Sequence, residues 1–316
     1  MTLNLEQIND FYDAQFREWT ELKPRYDALM QAERRNVGVG DMTVALQFNP
    51  ARIKSTGAAV DTSSLARRPC FLCKANRPKE QRSLGILDSW HWLINPYPIF
   101  PVHFTIASKA HEPQEEIPLD MVAAAEAAPE LAFFYNGARA GASAPDHLHF
   151  QATLKEELPL IAIAEKYHQG GRSSAMDSTD FPVDLPLCFR SITVVPDAEG
   201  MQLLSLLPTM YGFDAVTGAP DPGMVNVIVW IDDSRTLRAI VIPRKRHRPA
   251  CYTSAADGEG CMVSPGAVDM AGVLILPRKS DFDTLDAERI ASIYAECGLT
   301  KEEFKVWKPL DGIMGR

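Results

Sequence analysis

The segment from His147 to Gln151, which reads His-Leu-His-Phe-Gln, places three polar side chains at alternate positions. In an extended strand those side chains share one face at intervals of about 6.6 Å, while Leu148 and Phe150 face a core. Two histidines held by hydrogen bonds on a sheet face are the simplest structural interpretation. The Gly/Ala/Ser-rich stretch at residues 136–143 favours a functional one, because small residues let backbone N–H groups approach a phosphate closely.

The second group capable of chemistry is the pair Cys70 and Cys73, which two residues separate. Six Cys in 316 residues are too few for a disulfide scaffold and are typical of a reducing cytoplasm, so this pair is a candidate for metal or redox chemistry. A redox pair requires a strand before it and a helix after it. Pro69 precedes this pair and the residues at 74–78 make a poor start for a helix, which weakens the redox interpretation.

The His-Leu-His-Phe-Gln-Ala run that begins at His147 resembles the histidine-triad superfamily, in the branch that carries glutamine at the third position. That branch holds galactose-1-phosphate uridylyltransferase, diadenosine tetraphosphate phosphorylase and GDP-L-galactose phosphorylase. The alternative is that the chain belongs to a bacterial family within this branch, whose substrate is undefined. Upstream, Asn95, His103 and His111 lie at the offsets that histidine-triad proteins use, which supports the resemblance independently.

The resemblance implies that His149 is the nucleophile, which attacks the α-phosphorus of a nucleotide and forms a covalent nucleotidyl-histidine. An imidazole near its ordinary pKa of ~6.5 is largely neutral at pH 7 and needs no activation for this attack. The side chain of Gln151 can donate a hydrogen bond to a phosphoryl oxygen, but it cannot shuttle a proton as a third histidine would. This favours transfer of the nucleotidyl group to phosphate or a sugar phosphate over hydrolysis.

Four further residues are implied in substrate binding by their positions in the family pattern: Asn95, His103, Asn136 and Ser143. Asn95 takes the ribose side and Asn136 the phosphate side. One feature departs from the family, since Ser143 lies six residues before His149, one more than in uridylyltransferases and diadenosine tetraphosphate phosphorylases, and Asp146 precedes His147 directly. The phosphate loop therefore need not superimpose on that of the relatives.

A structural zinc is the cofactor that the resemblance implies. Uridylyltransferases of this branch bind zinc through a Cys-x-x-Cys pair, a downstream histidine and the first histidine of His-x-His. This ligand set transfers onto Cys70, Cys73, His111 and His147. Two thiolates and two imidazoles complete a tetrahedron and leave no open position for substrate. A metal-free variant with a buried cysteine pair is the alternative.

The net charge and the apolar pattern of the chain limit its partners. Lys and Arg number 32 against 41 Asp and Glu, and the net charge of -9 disfavours a broad grip on nucleic acid or anionic lipid. No run approaches about 18 apolar residues and the first ten residues are polar and acidic, so we expect neither a membrane span nor a signal peptide, and a cytoplasmic location. A small anionic ligand is compatible with the basic island between Arg67 and Arg82, and a homodimer is left open.

Local patterns predict the elements that must position these residues. Apolar residues three to four positions apart, from Leu5 to Trp19, predict helical structure over the first thirty residues, and a second helix is predicted over residues 287–296. Short apolar runs bounded by Pro, Gly and Asn predict strands from residue 42 to residue 104. Residues 226–243 predict a β-hairpin that turns at Asp232–Arg235.

The length of the chain predicts two domains. Residues 106–113 and 242–249 match at Ile, Lys, His and Pro in the same spacing, which favours duplication of one strand-loop unit, with chance as the alternative. A stretch rich in Gly, Ser, Asp and Pro at residues 169–186 predicts a surface loop or a linker between the two halves. We therefore expect an α+β fold of two histidine-triad-like halves with mainly antiparallel sheets and flanking helices: residues 1–185 with the active site and the N-terminal helix, and residues 186–316 as a degenerate half.

The expected activity is that of a nucleotidyltransferase or phosphorylase acting on a nucleoside diphosphate sugar or a dinucleoside polyphosphate, with phosphate or a sugar phosphate as acceptor. A histidine-triad hydrolase is the nearest alternative. A nucleotide-binding regulator without catalysis and a zinc-stabilised interaction protein are the others. The resemblance covers residues 42–154 well and 225–277 weakly, and no histidine follows His247, so we expect one chemical site per chain.

Overall fold

The computed structural model describes residues 2–57, 62–253 and 259–307 of the chain. Its strands are β1 Arg34–Val39, β2 Met42–Phe48, β3 Ser83–Leu84, β4 Trp90–Ile94, β5 Phe104–Ser108, β6 Leu131–Asn136, β7 His149–Leu154, β8 Ser174–Asp177, β9 Arg190–Val194, β10 Val225–Ile231, β11 Leu237–Pro243 and β12 Val273–Leu276. Its α-helices are α1 Leu5–Glu18, α2 Leu22–Met30, α3 Ile53–Thr56, α4 Thr62–Ala66, α5 Asp120–Ala127, α6 Pro159–Tyr167, α7 Ala198–Leu206, α8 Ala267–Met270, α9 Lys279–Thr284, α10 Ala287–Cys297 and α11 Lys301–Val306.

The larger of two sheets orders its strands β3-β4-β5-β7-β6-β10-β11-β9-β8, and each neighbouring pair is antiparallel. Within it, the segments β4-β5-α5-β6-β7 and β8-β9-α7-β10-β11 have the same connectivity and the same spatial order. Strands β6 and β10 join the two units at the centre of the sheet. The predicted α+β fold with mainly antiparallel strands is confirmed.

The short sequence repeat does not mark equivalent positions in the two units. Ile106 lies on β5, the second strand of the first unit, whereas Ile242 lies on β11, the fourth strand of the second. The linker prediction for residues 169–186 is also wrong in part, because β8 lies within it and pairs with β9 at the edge of the sheet. The domain division at residue 185 stays a prediction.

The central strands are buried on both faces, which explains their continuous apolar sequence. On β6, Phe133 and Tyr135 face a core that α1, α2, α5 and α7 cover, whereas Ala132 and Phe134 face the opposite core. That second core lies under β1, β2, β12, α6 and α8 to α10. Strand β12 pairs in parallel with β2 and so joins the C-terminal part of the chain to its N-terminal strands.

Capping and turn residues mark the start of two helices and the turn of the predicted hairpin. Helix α1 begins after Asn4, whose side chain accepts a hydrogen bond from the N–H of Gln7 in a capping box, and α10 begins after the cap Asp286. The predicted hairpin is β10-β11, and Asp232 in its turn accepts the N–H groups of Ser234 and Thr236. Among the residues described, no helix combines the length and the apolar character that crossing a bilayer requires.

Candidate active site

His149 and Gln151 on β7 face a cleft of 720 Å³, which is lined by residues of the N-terminal part of the chain and by residues that follow β11. In the sheet His149 pairs with Ala107 on β5, and Gln151 lies between Thr105 on β5 and Phe134 on β6. Phe150 points to the opposite face, as strand alternation requires, and is fully buried in the apolar core there. The sequence therefore predicted correctly that His149 and Gln151 share a polar face.

The imidazole of His149 is held by its own backbone. Its Nδ1 lies 2.8 Å from the carbonyl oxygen of His147, so Nδ1–H donates to that carbonyl and the lone pair of the neutral ring sits on Nε2. Because His149 lines the cleft, Nε2 is the ring nitrogen available to a ligand. Burial lowers the pKa of His149 to about 4, which keeps the ring neutral and nucleophilic at pH 7.

The backbone of His149 is clamped by the fully buried side chain of Gln114. The amide Oε1 of Gln114 accepts from the N–H of His149 at 2.8 Å, and its Nε2 donates to the carbonyls of His149 and Asn136, each at 2.8 Å. The register of β6 with β7 ends at Phe134 and Gln151, where the two strands separate. Gln114 thus supplies the hydrogen bonds that a neighbouring strand would otherwise make. The sequence analysis did not single out this residue.

Gln151 is oriented by His103 from behind the cleft wall. The N–H of Ile99 donates to Nδ1 of His103 at 3.3 Å, so the ring proton is on Nε2, which lies 3.0 Å from Oε1 of Gln151. That hydrogen bond occupies the amide oxygen and leaves the amide nitrogen of Gln151 as the donor for a ligand. His103 itself is fully buried and not part of the cleft lining. The assignment of His103 to substrate contact is therefore corrected, because its ring contacts Gln151 and not the cleft.

The other predicted substrate-binding residues, Asn95, Asn136 and Ser143, all line the cleft. Asn95 is fixed at both ends of its amide, which donates to Thr105 Oγ1 at 3.0 Å and accepts the N–H of Tyr97 at 2.8 Å. Asn136 Oδ1 accepts from the N–H of Ala267 at 2.6 Å. This contact joins Asn136 to the first residue of α8, in the C-terminal part of the chain.

The loop from 137 to 148 is packed tightly against that same C-terminal segment. Gly141 has a φ of 96°, in the left-handed region, and a Cβ there would lie 2.5 Å from Cα of Gly266. Glycine is required at this position for both reasons. Ser143 follows two residues later, so its place in the cleft depends on this close approach.

Cys70, Cys73, His111 and His147, here called the Cys/His cluster, form a group that could hold a metal ion. Their ligand atoms all lie within 4.8 Å of one another, with Nδ1 of His111 3.3 Å from Nδ1 of His147 and 3.3 Å from Sγ of Cys73. Nε2 of His147 donates to the carbonyl of Ser108 at 2.9 Å, which turns the lone pair on Nδ1 towards the cluster. Burial raises the pKa of the Cys70 thiol in the absence of a cation.

His147 belongs to this cluster and not to the cleft. It precedes β7 in a turn in which its N–H donates to the carbonyl of Ala144, and its Nδ1 lies 3.2 Å from Sγ of Cys70. The expectation that His147 shares one strand face with His149 and Gln151 is therefore wrong, because the strand begins only at His149.

The cleft is also lined by four arginines: Arg25, Arg52, Arg68 and Arg248. Of the predicted basic island, Arg68 reaches the cleft, where its Nη2 donates to the carbonyl of Ser143 and to Asp146. Its guanidinium lies 4.9 Å from the ring centre of Phe71. The sequence could not separate Arg68 from its neighbours, because a solvated basic loop has the same composition.

Two family models match separate parts of this chain. A family model described as "Domain of unknown function (DUF4922)" matches residues 11–154, and one described as "GDPGP1-like, C-terminal domain" matches residues 228–310. A comparison with curated proteins returns no significant match.

Among solved structures, yeast Ap4A phosphorylase Apa2 matches with a TM-score of 0.56 and 15% identity over 89% of this chain and 94% of that one. Its complex with AMP matches with a TM-score of 0.54 and 13% identity, over 89% and 95% of the two chains. The complex with Ap4A matches with a TM-score of 0.54 and 16% identity, over 89% and 97%. The chain therefore shares the fold of yeast Ap4A phosphorylase Apa2.

Both similarities agree with the sequence resemblance to the branch of galactose-1-phosphate uridylyltransferase, diadenosine tetraphosphate phosphorylase and GDP-L-galactose phosphorylase. The C-terminal family model and the structural match point to the same branch.

Proposed function

We propose that this chain is an enzyme that transfers a nucleoside monophosphate, through His149, from a nucleoside diphosphate sugar or a dinucleoside polyphosphate to phosphate or a sugar phosphate. The observation that carries the proposal is a neutral imidazole in a large cleft, with Nδ1 tied to the backbone and Nε2 left with its lone pair. Two of the matched yeast structures are complexes with AMP and with Ap4A, which supports a nucleotide as the ligand of a cleft in this fold.

In the first step Nε2 of His149 attacks the α-phosphorus. The Nε2–P bond forms, the bond from phosphorus to the bridging oxygen breaks, and its electron pair leaves with the sugar phosphate or the nucleotide. A phosphate leaving group has a second pKa of about 6, so it departs as an anion without a general acid. Gln151 donates from its amide nitrogen to a phosphoryl oxygen, where negative charge increases in the transition state.

In the second step an oxygen of the acceptor phosphate attacks the same phosphorus. The Nε2–P bond breaks, its electron pair returns to His149, and Nδ1–H stays on the ring throughout. Phosphate is already an anionic nucleophile and needs no base, whereas water must lose a proton. Since Gln151 cannot accept that proton, the site favours phosphorolysis or exchange over hydrolysis.

Substrate binding follows from the polar groups that line the cleft. We assign Asn95 to the ribose, and Asn136 and Ser143 to the phosphoryl groups, with Gln151 at the reacting phosphorus. Asn95 is held rigidly at both ends, which pre-organises its position for a sugar hydroxyl.

The Cys/His cluster fits a structural zinc. Two nitrogens each about 2.0 Å from a tetrahedral zinc lie about 3.3 Å apart, and the Nδ1 atoms of His111 and His147 are separated by 3.3 Å. Two thiolates and two imidazoles leave no open position, so the metal would link the loop at Cys70 to the turn before His149 and take no part in the reaction.

The test is to incubate the purified chain with UDP-, GDP- and ADP-sugars and with dinucleoside polyphosphates, and to measure intact mass. We expect a gain of one nucleoside monophosphate that His149→Ala abolishes and that the control His91→Ala, on β4 outside the cleft lining, retains. Added phosphate should discharge the adduct faster than water alone. Binding without an adduct would replace the proposal with a nucleotide-binding regulator, and faster discharge by water would replace it with a hydrolase.

A further inference from the structure

We propose that the part of the cleft formed by His247, Arg248 and Ser264, here called the second-unit wall, binds the acceptor anion, either inorganic phosphate or the phosphate of a sugar phosphate. The proposal rests on the proposed function and assigns its second substrate to a place. All three residues line the same cleft as His149. They lie in the segment between β11, the last strand of the second unit, and α8.

The second-unit wall is built around the hydroxyl of Ser264. Nε of Arg248 donates to Oγ of Ser264 at 2.9 Å, and Nε2 of His247 lies 3.3 Å from the same oxygen. Nη2 of Arg248 donates to the carbonyl of Thr56 at 3.1 Å, and its guanidinium lies 4.1 Å from the ring centre of Tyr252. A guanidinium fixed in this way holds its positive charge at one place in the cleft lining, so an oxyanion binds beside it with little loss of side-chain entropy.

A buried seam of hydrogen bonds holds the second-unit wall in register with the nucleophile. The fully buried Arg244 donates from Nη1 to the carbonyl of Pro265, which follows Ser264, and to Oδ1 of Asn226. Nδ2 of Asn226 donates to Oδ1 of Asn136 at 3.0 Å. The carbonyl of Asn136 accepts from the Gln114 side chain that also clamps His149. A continuous series of hydrogen bonds therefore connects the second-unit wall to His149.

The second step of the proposed reaction requires a positive group close to the acceptor phosphate. The acceptor phosphate must approach a phosphorus that already carries anionic oxygens, so it needs a positive group of its own. Arg68 is joined to the loop before His149, and Arg25 and Arg52 donate to the carbonyls of Pro96 and Tyr97. Arg248 is the arginine of the cleft lining that lies after β11, and we assign the acceptor to it. Asp269 also lines the cleft, but its two carboxylate oxygens accept the N–H groups of Gly266 and Ile275 at 2.9 and 3.0 Å.

The experiment separates the two half-reactions. The nucleotidyl adduct of the wild-type protein is formed with the nucleotide donor that the mass measurement identifies, and excess donor is removed. The adduct is then discharged with increasing concentrations of inorganic phosphate in one arm and of a hexose 1-phosphate in the other. Arg248→Ala should slow discharge at low acceptor concentration about tenfold to a hundredfold, the loss expected for a charge-assisted hydrogen bond, and change the rate of adduct formation by less than about twofold. Arg248→Lys should restore part of the discharge rate.

Two controls keep the test decisive. Arg246→Ala removes an exposed arginine two residues away that is not part of the cleft lining, and it should leave both half-reactions unchanged. Ser264→Ala removes the hydroxyl that orients Arg248 and should reproduce the discharge defect even if Arg248→Ala proves unstable. Discharge at the wild-type rate in both variants, or an equal loss in adduct formation, would overturn the acceptor assignment alone. Absence of any adduct in the wild-type protein would overturn the proposed function and this inference with it.

Discussion

His103 and Gln151 form a buried imidazole–amide hydrogen bond, with 3.0 Å between Nε2 and Oε1, that decides which end of the glutamine meets a ligand. The direction of the bond is set by the N–H of Ile99, which donates to the other ring nitrogen of His103. Burial lowers the pKa of His103 to about 3, so the ring stays neutral and the arrangement does not change over the physiological pH range. The glutamine is thereby a fixed donor to a phosphoryl oxygen.

We expect Gln151→Glu to slow nucleotidyl transfer by about a hundredfold, because a carboxylate can still accept from His103 but offers no donor and adds charge near an anionic phosphate. The measurement is the rate of adduct formation by rapid quench and intact mass. The same change at the exposed Gln202 on α7 is the control and should have no effect. An unaltered rate in Gln151→Glu would show that the amide donor takes no part in the reaction.

The clamp on His149 predicts a combined loss of rate and stability. Gln114→Ala leaves the N–H of His149 and two carbonyls without their present partner, so we expect about 1–3 kcal/mol less free energy of unfolding together with slower adduct formation. Gln114→Glu keeps the acceptor for the N–H and loses both donors. Chemical denaturation and adduct kinetics measure the two effects, and a variant with reduced stability but wild-type kinetics would contradict a positioning role.

For the Cys/His cluster we expect about one zinc per chain by inductively coupled plasma mass spectrometry. Cys70→Ser should lose the metal and several kcal/mol of stability, because metal binding contributes directly to folding. Cys188→Ala changes another buried cysteine, outside the cluster, and should retain the zinc. A metal-free protein that Cys70→Ser leaves equally stable would refute the ligand assignment.

Acid should destabilise the fold through His168, which accepts or donates hydrogen bonds at both ring nitrogens, to Ser191 at 2.8 Å and Ser174 at 2.9 Å. Burial, and then the nearby Arg238, lower the pKa of His168 from 6.5 to about 4. Between these values the unfolded chain binds a proton that the folded chain does not, so stability falls as pH falls from 6.5 towards 4, by about 2 kcal/mol at pH 5.

His168→Gln keeps hydrogen-bonding groups at this position and removes the titration. Urea denaturation at pH 7 and pH 5 should therefore show a smaller loss in the variant than in the wild-type protein, the remainder belonging to other buried histidines. An equal loss in both proteins would mean that His168 does not contribute.

Local sequence was sufficient wherever a short-range rule applied. The alternation on β7 predicted that His149 and Gln151 share a face, Asp232 predicted the β10-β11 turn, and the family pattern brought together the four residues of the Cys/His cluster, which the fold then placed within ligand distance. In each case the information lies in residue type and spacing, which set strand faces, turn geometry and donor chemistry before any long-range contact forms.

Long-range packing decided the rest. Only the tertiary structure shows that His103 lies behind the cleft wall and that Gln114 binds the backbone of His149. Both positions depend on contacts between residues 35 or more positions apart. It also brought Arg248 and Ser264 to the same cleft as His149, through the centre of the sheet where β6 meets β10. The sequence by itself determined which groups can do chemistry, and the close packing of two units across one sheet determined which of them face each other.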